Sequence, residues 1–355
     1  MKLCLVIPSM PVGGMERVMS ELANYLVNRN HEVFLLIMVK GDMFYKLDRK
    51  VKIIQPSIKK RINFIYAFYM FPFIRFKIES INPHAILAFG ERYNSYLLLA
   101  TIGLKIPVYI SDRSSPKRKL SPFNEWLRKL FYRRATGIIA QTSQASVSLH
   151  KLLDGSNTNI KIIPNPLRKI NTTPMSKKNQ IVAIGRLVKE KRYDRLLEII
   201  SKLENKTWKL VIVGEGRLRP QIESCIKKFK LENRVELAGQ QTDIDQFLAS
   251  SKIFVLTSDS EGFPNVLCEA MAHGLPCISF DCVAGPSDII KNGVNGMLID
   301  DGNIELFTRK LDNLIQDERK RDRLGSEAEK IRLKLDSNKI FEQYLEFMGQ
   351  YKLDF

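Results

Sequence analysis

Ile163-Pro164-Asn165-Pro166, followed by Asn171-Thr172-Thr173-Pro174-Met175-Ser176-Lys177-Lys178-Asn179, divides the chain into two halves of similar pattern. Two prolines one residue apart disfavour helix, and the polar run behind them offers nothing to bury, so the segment reads as a linker. Before it, apolar runs at residues 2–7, 33–39, 51–54, 85–88, 108–110 and 137–140 read as strands. Helical periodicity fills several of the gaps, as at 15–28, where Val18, Leu22, Tyr25 and Leu26 share a face. After the linker, strands are predicted at 180–184, 209–213, 235–237, 253–257, 277–280 and 296–299, and helices at 306–315, 318–335 and 338–351. Strand–helix alternation argues a parallel sheet covered on both faces. With 355 residues, too many for one ordinary core, the expected architecture is α/β. Two doubly wound domains follow one another and face a cleft, where ligands bind beyond the carboxyl ends of the strands.

Composition restricts the partners. A hydrophobic fraction of 45% is globular. Cys4, Cys225, Cys268, Cys277 and Cys282 are scattered, with no spacing that would hold zinc, and read as small buried hydrophobes in a reducing compartment. The first apolar run is too short for a signal peptide, and the stretch at 62–74 carries Asn63 and Pro72 and stops at Arg75 and Lys77. A soluble or peripheral protein is expected. Of the net charge of +18, residues 1–165 supply most, with 25 Lys/Arg against 10 Asp/Glu, while the remainder holds 31 against 28. The two halves therefore face different partners, with nucleic acid, anionic lipid and phosphorylated substrate all compatible with the charge.

Several loops carry residues suited to a phosphorylated ligand. Gly13 and Gly14 follow the first strand and let backbone approach an anion, although a plain tight turn explains them equally well. Arg186 and Lys191, in the loop after strand 180–184, could bracket a diphosphate or simply be solvated. Gly214-Glu215-Gly216 repeats the small-residue loop at the next strand end. The most specific stretch is Ser260-Glu261-Gly262-Phe263-Pro264-Asn265-Val266-Leu267-Cys268-Glu269-Ala270-Met271-Ala272-His273-Gly274-Leu275-Pro276. Pro264 suits a first helical position and Gly274 a C-terminal cap, so a short helix is predicted over 264–273. Its N–H groups from about Asn265 to Leu267 would receive a phosphate, with Glu261 and Glu269 on either side to accept bonds from polyol hydroxyls. The alternative is a solvent-facing glutamate on each side of an ordinary helix.

These motifs resemble glycosyltransferase family 4, retaining enzymes of the GT-B fold, over nearly the whole chain. Glu261 and Glu269 match its Glu-x7-Glu, Arg186 and Lys191 its diphosphate pair, Gly13 and Gly14 its N-terminal glycines, and Ile163-Pro164-Asn165-Pro166 its interdomain segment. Asp281-Cys282, Gly285-Pro286 and Asn292-Gly293-x-x-Gly296 match the loops behind the Glu motif, and the chain is most similar to bacterial enzymes extending lipid-linked glycans for capsule, O-antigen or protein glycosylation. The resemblance implies an acceptor-binding domain at 1–165, to which a C-terminal helix at 338–355 returns, and a nucleotide-sugar-binding domain at 175–337. It implies Glu261, Arg186 and Lys191 as catalytic residues. The implied donor-binding set is Gly13, Gly14, Arg113, Arg186, Lys191, Gly214, Glu261, Gly262, Phe263, Pro264, Asn265, Val266, Leu267 and Glu269. Glu269 would hold the ribose, Glu261 the donor sugar, and Arg186 with Lys191 the leaving diphosphate. Arg113 stands where many relatives carry histidine.

The implied reaction moves N-acetylgalactosamine or galactose from a UDP-sugar, with retention, onto a polyprenyl-diphosphate-linked saccharide. No cofactor or catalytic metal is expected. Asp243-Ile244-Asp245 opens a helix and reads as a cap rather than a metal motif, and His31, His84, His150 and His273 have no mutual spacing for chemistry. Front-face attack assisted by the leaving diphosphate is the expected course. A non-hydrolysing sugar-nucleotide epimerase of similar architecture is the alternative, and a nucleic-acid-binding protein has only the charge in its favour. Two basic segments point to an anionic membrane surface and the lipid-linked acceptor: Lys59, Lys60 and Arg61, and then Lys117, Arg118, Lys119, Arg128, Lys129, Arg133 and Arg134. Phe123, Trp126, Leu127, Leu130 and Phe131 share a helical face that is expected to pack on the first sheet. The expected location is cytoplasmic, at the inner face of the cell membrane.

Overall fold

The computed structural model describes residues 1–57, 63–171, 173 and 175–349. The chain divides into two units, residues 1–166 with the chain from Ser337 onward, and residues 167–336. The first runs β1 (Lys2–Ile7), α1 (Gly14–Asn28), β2 (Glu32–Ile37), β3 (Lys52–Ile54), α2 (Asn63–Ile81), β4 (Ala85–Phe89), α3 (Glu91–Ala100), β5 (Val108–Ser111), α4 (Pro122–Phe131), β6 (Gly137–Ala140), α5 (Ser143–Leu152) and β7 (Asn159–Ile162). Its strands pair in parallel in the order β3-β2-β1-β4-β5-β6-β7. Central strands such as Ala85–Phe89 are buried at every residue, because helices cover both faces of a parallel sheet. Val6, Leu36, Ile86, Ile110 and Ile138 form the core on one face with Ile74 and Ile78 of α2.

The second unit runs β8 (Gln180–Ile184), α6 (Tyr193–Lys202), β9 (Lys209–Val213), α7 (Arg219–Lys228), β10 (Val235–Gly239), α8 (Asp245–Ser250), β11 (Ile253–Leu256), α9 (Asn265–Ala272), β12 (Cys277–Asp281), α10 (Pro286–Ile289), β13 (Met297–Asp300), α11 (Ile304–Gln316), α12 (Glu318–Glu329) and α13 (Ile331–Lys334). Its parallel order is β10-β9-β8-β11-β12-β13. The order reverses between β8 and β11, the switch point at which sheets of this kind bind ligands beyond the carboxyl ends of their strands. The β8 loop holds Arg186 and Lys191, and the β11 loop holds Glu261. The last helix, α14 (Ser337–Gly349), returns to the first unit. Phe347 of α14 covers Gly137 so closely that an added Cβ would lie 2.5 Å from its ring, and it meets the Tyr109 ring edge-on at 5.3 Å.

Three differences from the sequence reading have simple causes. Strand β7 was not expected, because Asn-Ile-Lys-Ile at a sheet edge buries little. The helix expected over 318–335 is broken at Lys330 into α12 and α13. Part of the linker is not inert, since Ile163, Asn165 and Pro166 are buried. Among the described residues no helix is long and apolar enough to cross a membrane.

Candidate active site

The loop after β8 is shaped by its neighbour. Gly214 has φ +144°, and a Cβ there would lie 2.1 Å from the Gly185 carbonyl oxygen, while one on Gly216 would lie 2.5 Å from that of Leu187. Leu187 N–H donates to the Glu215 carbonyl at 2.9 Å and Gly185 N–H to that of Val213 at 2.9 Å. These two glycines therefore let one loop lie against the other, a packing role where direct ligand contact was expected of Gly214. The braced strand end presents Arg186 exposed. Lys191 follows in a single 3₁₀ turn, its carbonyl held by the Thr257 hydroxyl at 3.1 Å.

Lys191 Nζ lies 2.6 Å from Glu261 Oε1, with both side chains largely buried. Two residues 70 positions apart thus form one charge pair at the switch point, as their loops require. Gly285, at φ +118°, comes so near Pro264 that a Cβ would lie 2.4 Å from Pro264 Cδ, which fixes the entry to α9. Pro264 occupies the N-cap position one residue before α9. Gly274 ends the helix at φ +68°, with Leu275 N–H returning to the Ala270 carbonyl at 3.2 Å. The N–H groups of the first turn are not all open. That of Asn265 donates to the Phe263 carbonyl at 2.9 Å and that of Leu267 to the Pro264 carbonyl at 3.0 Å. An anion at this helix end would compete with those bonds, which corrects the expectation of a fully open first turn. Gly262 and Val266 are half-buried beside these residues in the chain, and Phe263 is buried.

Glu269 is buried within α9, and its Oε1 lies 3.3 Å from Arg168 Nε. Arg168 was missed by sequence reasoning. Its guanidinium also grips both oxygens of Asp245, one of them at 3.0 Å. Asp245 accepts in addition from Asn171 N–H at 2.8 Å and lies 3.0 Å from His273 Nε2. Asp243 Oδ1 accepts from Asp245 N–H at 2.9 Å, a local turn just before α8, whose N-cap residue is Ile244 and carries no side-chain cap bond, where capping by the aspartates was expected. Asp245 is therefore occupied within the unit, and exposed Asp243 holds one local backbone bond.

Burial pushes the Asp245 carboxyl upward, but the bonds from Arg168, Asn171 and His273 prevail and hold it at about 2. A depressed folded value gives stability that is full above the unfolded value and lost as pH falls through the folded one. We expect Asp245→Asn to flatten the acid-unfolding profile between about pH 4 and pH 2. Asp245→Ala should cost about 1–3 kcal/mol in urea unfolding at neutral pH, because it leaves Arg168 with the Glu269 carboxylate alone and frees the Asn171 N–H.

In the first unit, Gly13 is the N-cap of α1 in an extended conformation. Its N–H donates to the Tyr45 hydroxyl at 3.2 Å, and its carbonyl accepts from that hydroxyl at 2.9 Å. Gly14 opens α1. Arg113, after β5, donates to Asn165 Oδ1 at 2.6 Å and to the Tyr344 hydroxyl at 2.8 Å, and lies over the Phe89 ring at 3.5 Å. Burial lowers its pKa, opposed by the Tyr344 oxygen. Its terminal nitrogens thus tie Asn165 and α14 to the sheet.

The basic segment divides. Arg128 is turned inward onto Asp112 at 2.5 Å and Glu125 at 3.2 Å, which removes it from the expected membrane set. Lys117, Arg118, Lys119, Lys129, Arg133 and Arg134 are exposed. Lys59, Lys60 and Arg61 lie outside the described residues. The apolar face of α4 is not packed on the sheet as expected. Phe123, Trp126 and Leu130 are 61%, 58% and 48% exposed, and only Leu127 of that face is fully buried.

Residues 12–168 match the model of Glycosyltransferase Family 4, and residues 168–331 that of Glycosyl transferases group 1. The amylovoran biosynthesis glycosyltransferase AmsD of Erwinia amylovora is 32% identical over 328 residues, 89% of this chain and 90% of that protein. A Campylobacter jejuni enzyme named as a GalNAc-α-(1→4)-GalNAc-α-(1→3)-diNAcBac-PP-undecaprenol α-1,4-N-acetyl-D-galactosaminyltransferase is 26% identical over 99% of each chain. Among solved structures, the lipopolysaccharide outer core galactosyltransferase WaaB superposes with a TM-score of 0.81 at 22% identity, covering 99% of this chain and 100% of that one. Anabaena HepE in complex with UDP gives 0.83 at 18%, with the same coverage. These matches support transfer and lend nothing to the epimerase alternative. With a sheet order, switch-point loops and matched relatives that agree over almost its full length, the chain belongs to the family 4, group 1 glycosyltransferases of GT-B fold.

Proposed function

We propose that the protein transfers N-acetylgalactosamine or galactose from a UDP-sugar, with retention of configuration, onto a polyprenyl-diphosphate-linked saccharide at the inner face of the cell membrane. The observation that carries this reading is the Lys191–Glu261 pair at the β8/β11 switch point, with α9 following Glu261 in the chain. In the free protein each charge compensates the other, so neither is left buried alone. Arriving donor separates their tasks: Lys191 and the exposed Arg186 take the diphosphate, and Glu261 accepts bonds from sugar hydroxyls. As the glycosidic bond breaks, negative charge grows on the diphosphate, and the two cations stabilise it more in the transition state than before. Glu269 takes the ribose. The acceptor hydroxyl attacks the face that the diphosphate leaves, with a diphosphate oxygen receiving its proton.

The donor class is supported by relatives that are named N-acetylgalactosaminyl- and galactosyltransferases and by a neighbour solved with UDP. The lipid-linked acceptor is supported by the undecaprenol-linked substrates in the names of two relatives. Thermal unfolding with a panel of UDP- and GDP-sugars tests the donor. At a hundred times its dissociation constant a true donor adds about 2.7 kcal/mol, a shift of several degrees. A response to GDP-sugars alone would refute the UDP assignment. We also propose that transfer needs no metal, because Asp243 and Asp245 are committed to internal bonds. Activity should be unchanged by EDTA, and loss reversed by Mn²⁺ would contradict this.

A further inference from the structure

Helix α4 is amphipathic in the wrong sense for a helix lying on a sheet. Its inward residues are largely polar: Asn124, bonded by the Tyr96 hydroxyl at 3.1 Å, and Arg128, paired with Asp112 at 2.5 Å, beside Leu127. Outward it presents Phe123, Trp126 and Leu130, with the first two rings stacked at 6.1 Å. Ordering large apolar side chains in water brings no burial to offset it, so the face asks for a covering surface. The surroundings specify which kind. From Arg113 to Arg134 there is one acidic residue, Glu125, and it is already paired with Arg128. Exposed cations bracket the aromatic residues in the chain, with Lys117, Arg118 and Lys119 before them and Lys129 and Arg133 after. Aromatic rings beside lysine and arginine on one helix match the boundary between acyl chains and anionic headgroups, where each group finds its own solvent.

We propose that α4 is an interfacial anchor that inserts Phe123, Trp126 and Leu130 into the acyl boundary of an anionic bilayer, with the flanking cations on the headgroups. This extends the reading above, which takes its acceptor from a membrane, but replaces a purely electrostatic attachment with insertion.

The chain has two tryptophans, Trp126, exposed, and Trp208, 4% exposed in the core, so emission separates them. Vesicles of phosphatidylglycerol and phosphatidylcholine should shift the wild-type emission to the blue, and brominated acyl chains should quench it. Trp126→Phe, which keeps only the core indole, should show neither effect. Phe123→Ala/Trp126→Ala should partition about tenfold more weakly or worse, and wild type should keep part of its binding at high salt. Vesicle binding without blue shift, or a double variant that binds like wild type, would overturn insertion. Self-association that the double variant abolishes, with no vesicle response, would assign the face to a second copy and overturn it too. The double variant should still transfer to a short soluble acceptor. Absence of transfer by wild type from any UDP-sugar would instead refute the proposed function, and the vesicle result would stand apart from it.

Discussion

Arg186→Ala is expected to lower kcat/KM for the donor by about 10²–10³-fold, the usual effect of removing one fixed donor from a developing oxyanion. The residue is well suited to the test because it is exposed and makes no packing contribution to the core, so urea unfolding should be unchanged. The loss should fall mainly on kcat, since the charge it meets grows as the bond breaks. Lys191→Ala should be more damaging still, because it also leaves Glu261 buried without its cation. If Arg186→Ala keeps near-normal kinetics, the diphosphate is held elsewhere and the β8 loop loses its assigned role.

Glu269→Ala should raise the donor KM by about 10–100-fold, the worth of a charge-assisted bond to a ribose hydroxyl. Here a stability loss is also expected, of about 1–3 kcal/mol, because Arg168 loses one of its two carboxylates. Separating the two effects requires saturation kinetics on protein shown to be folded at the assay temperature. A purely structural Glu269 would lower the unfolding midpoint and leave KM as it is. A ribose-binding Glu269 should raise KM for the donor and weaken product UDP in parallel, with the acceptor KM untouched.

Much of the fold could be read from the chain, and the failures have physical causes. Buried parallel strands such as Ala85–Phe89 and residues 181–184 announce themselves as continuous apolar runs. Edge strand β7 does not, since its neighbours bury only part of it. The α9 stretch was legible because Pro264 and Gly274 carry local backbone requirements that hold wherever the helix lies. Arg168 was not legible, because its meaning comes from partners 77 and 101 positions away, which only the folded sheet brings together. Gly214 was read as an opening for ligand, but glycine serves equally where one loop must lie against another. The periodicity of α4 revealed two faces and not which was turned inward. That depended on Asp112 and Tyr96 waiting beneath it for Arg128 and Asn124.

The account rests on transfer of a sugar from a UDP-donor with its anomeric configuration kept, and one measurement addresses that directly. Purified protein is incubated with UDP-N-acetylgalactosamine or UDP-galactose, each α-linked, and a synthetic polyprenyl-diphosphate saccharide. The product is then examined by mass spectrometry and by the proton coupling at the new anomeric centre. One added hexose or N-acetylhexosamine in α linkage is expected, formed about 10²–10³-fold more slowly by Arg186→Ala. A β-linked product, or consumption of the UDP-sugar with a changed sugar and no acceptor gain, would contradict it.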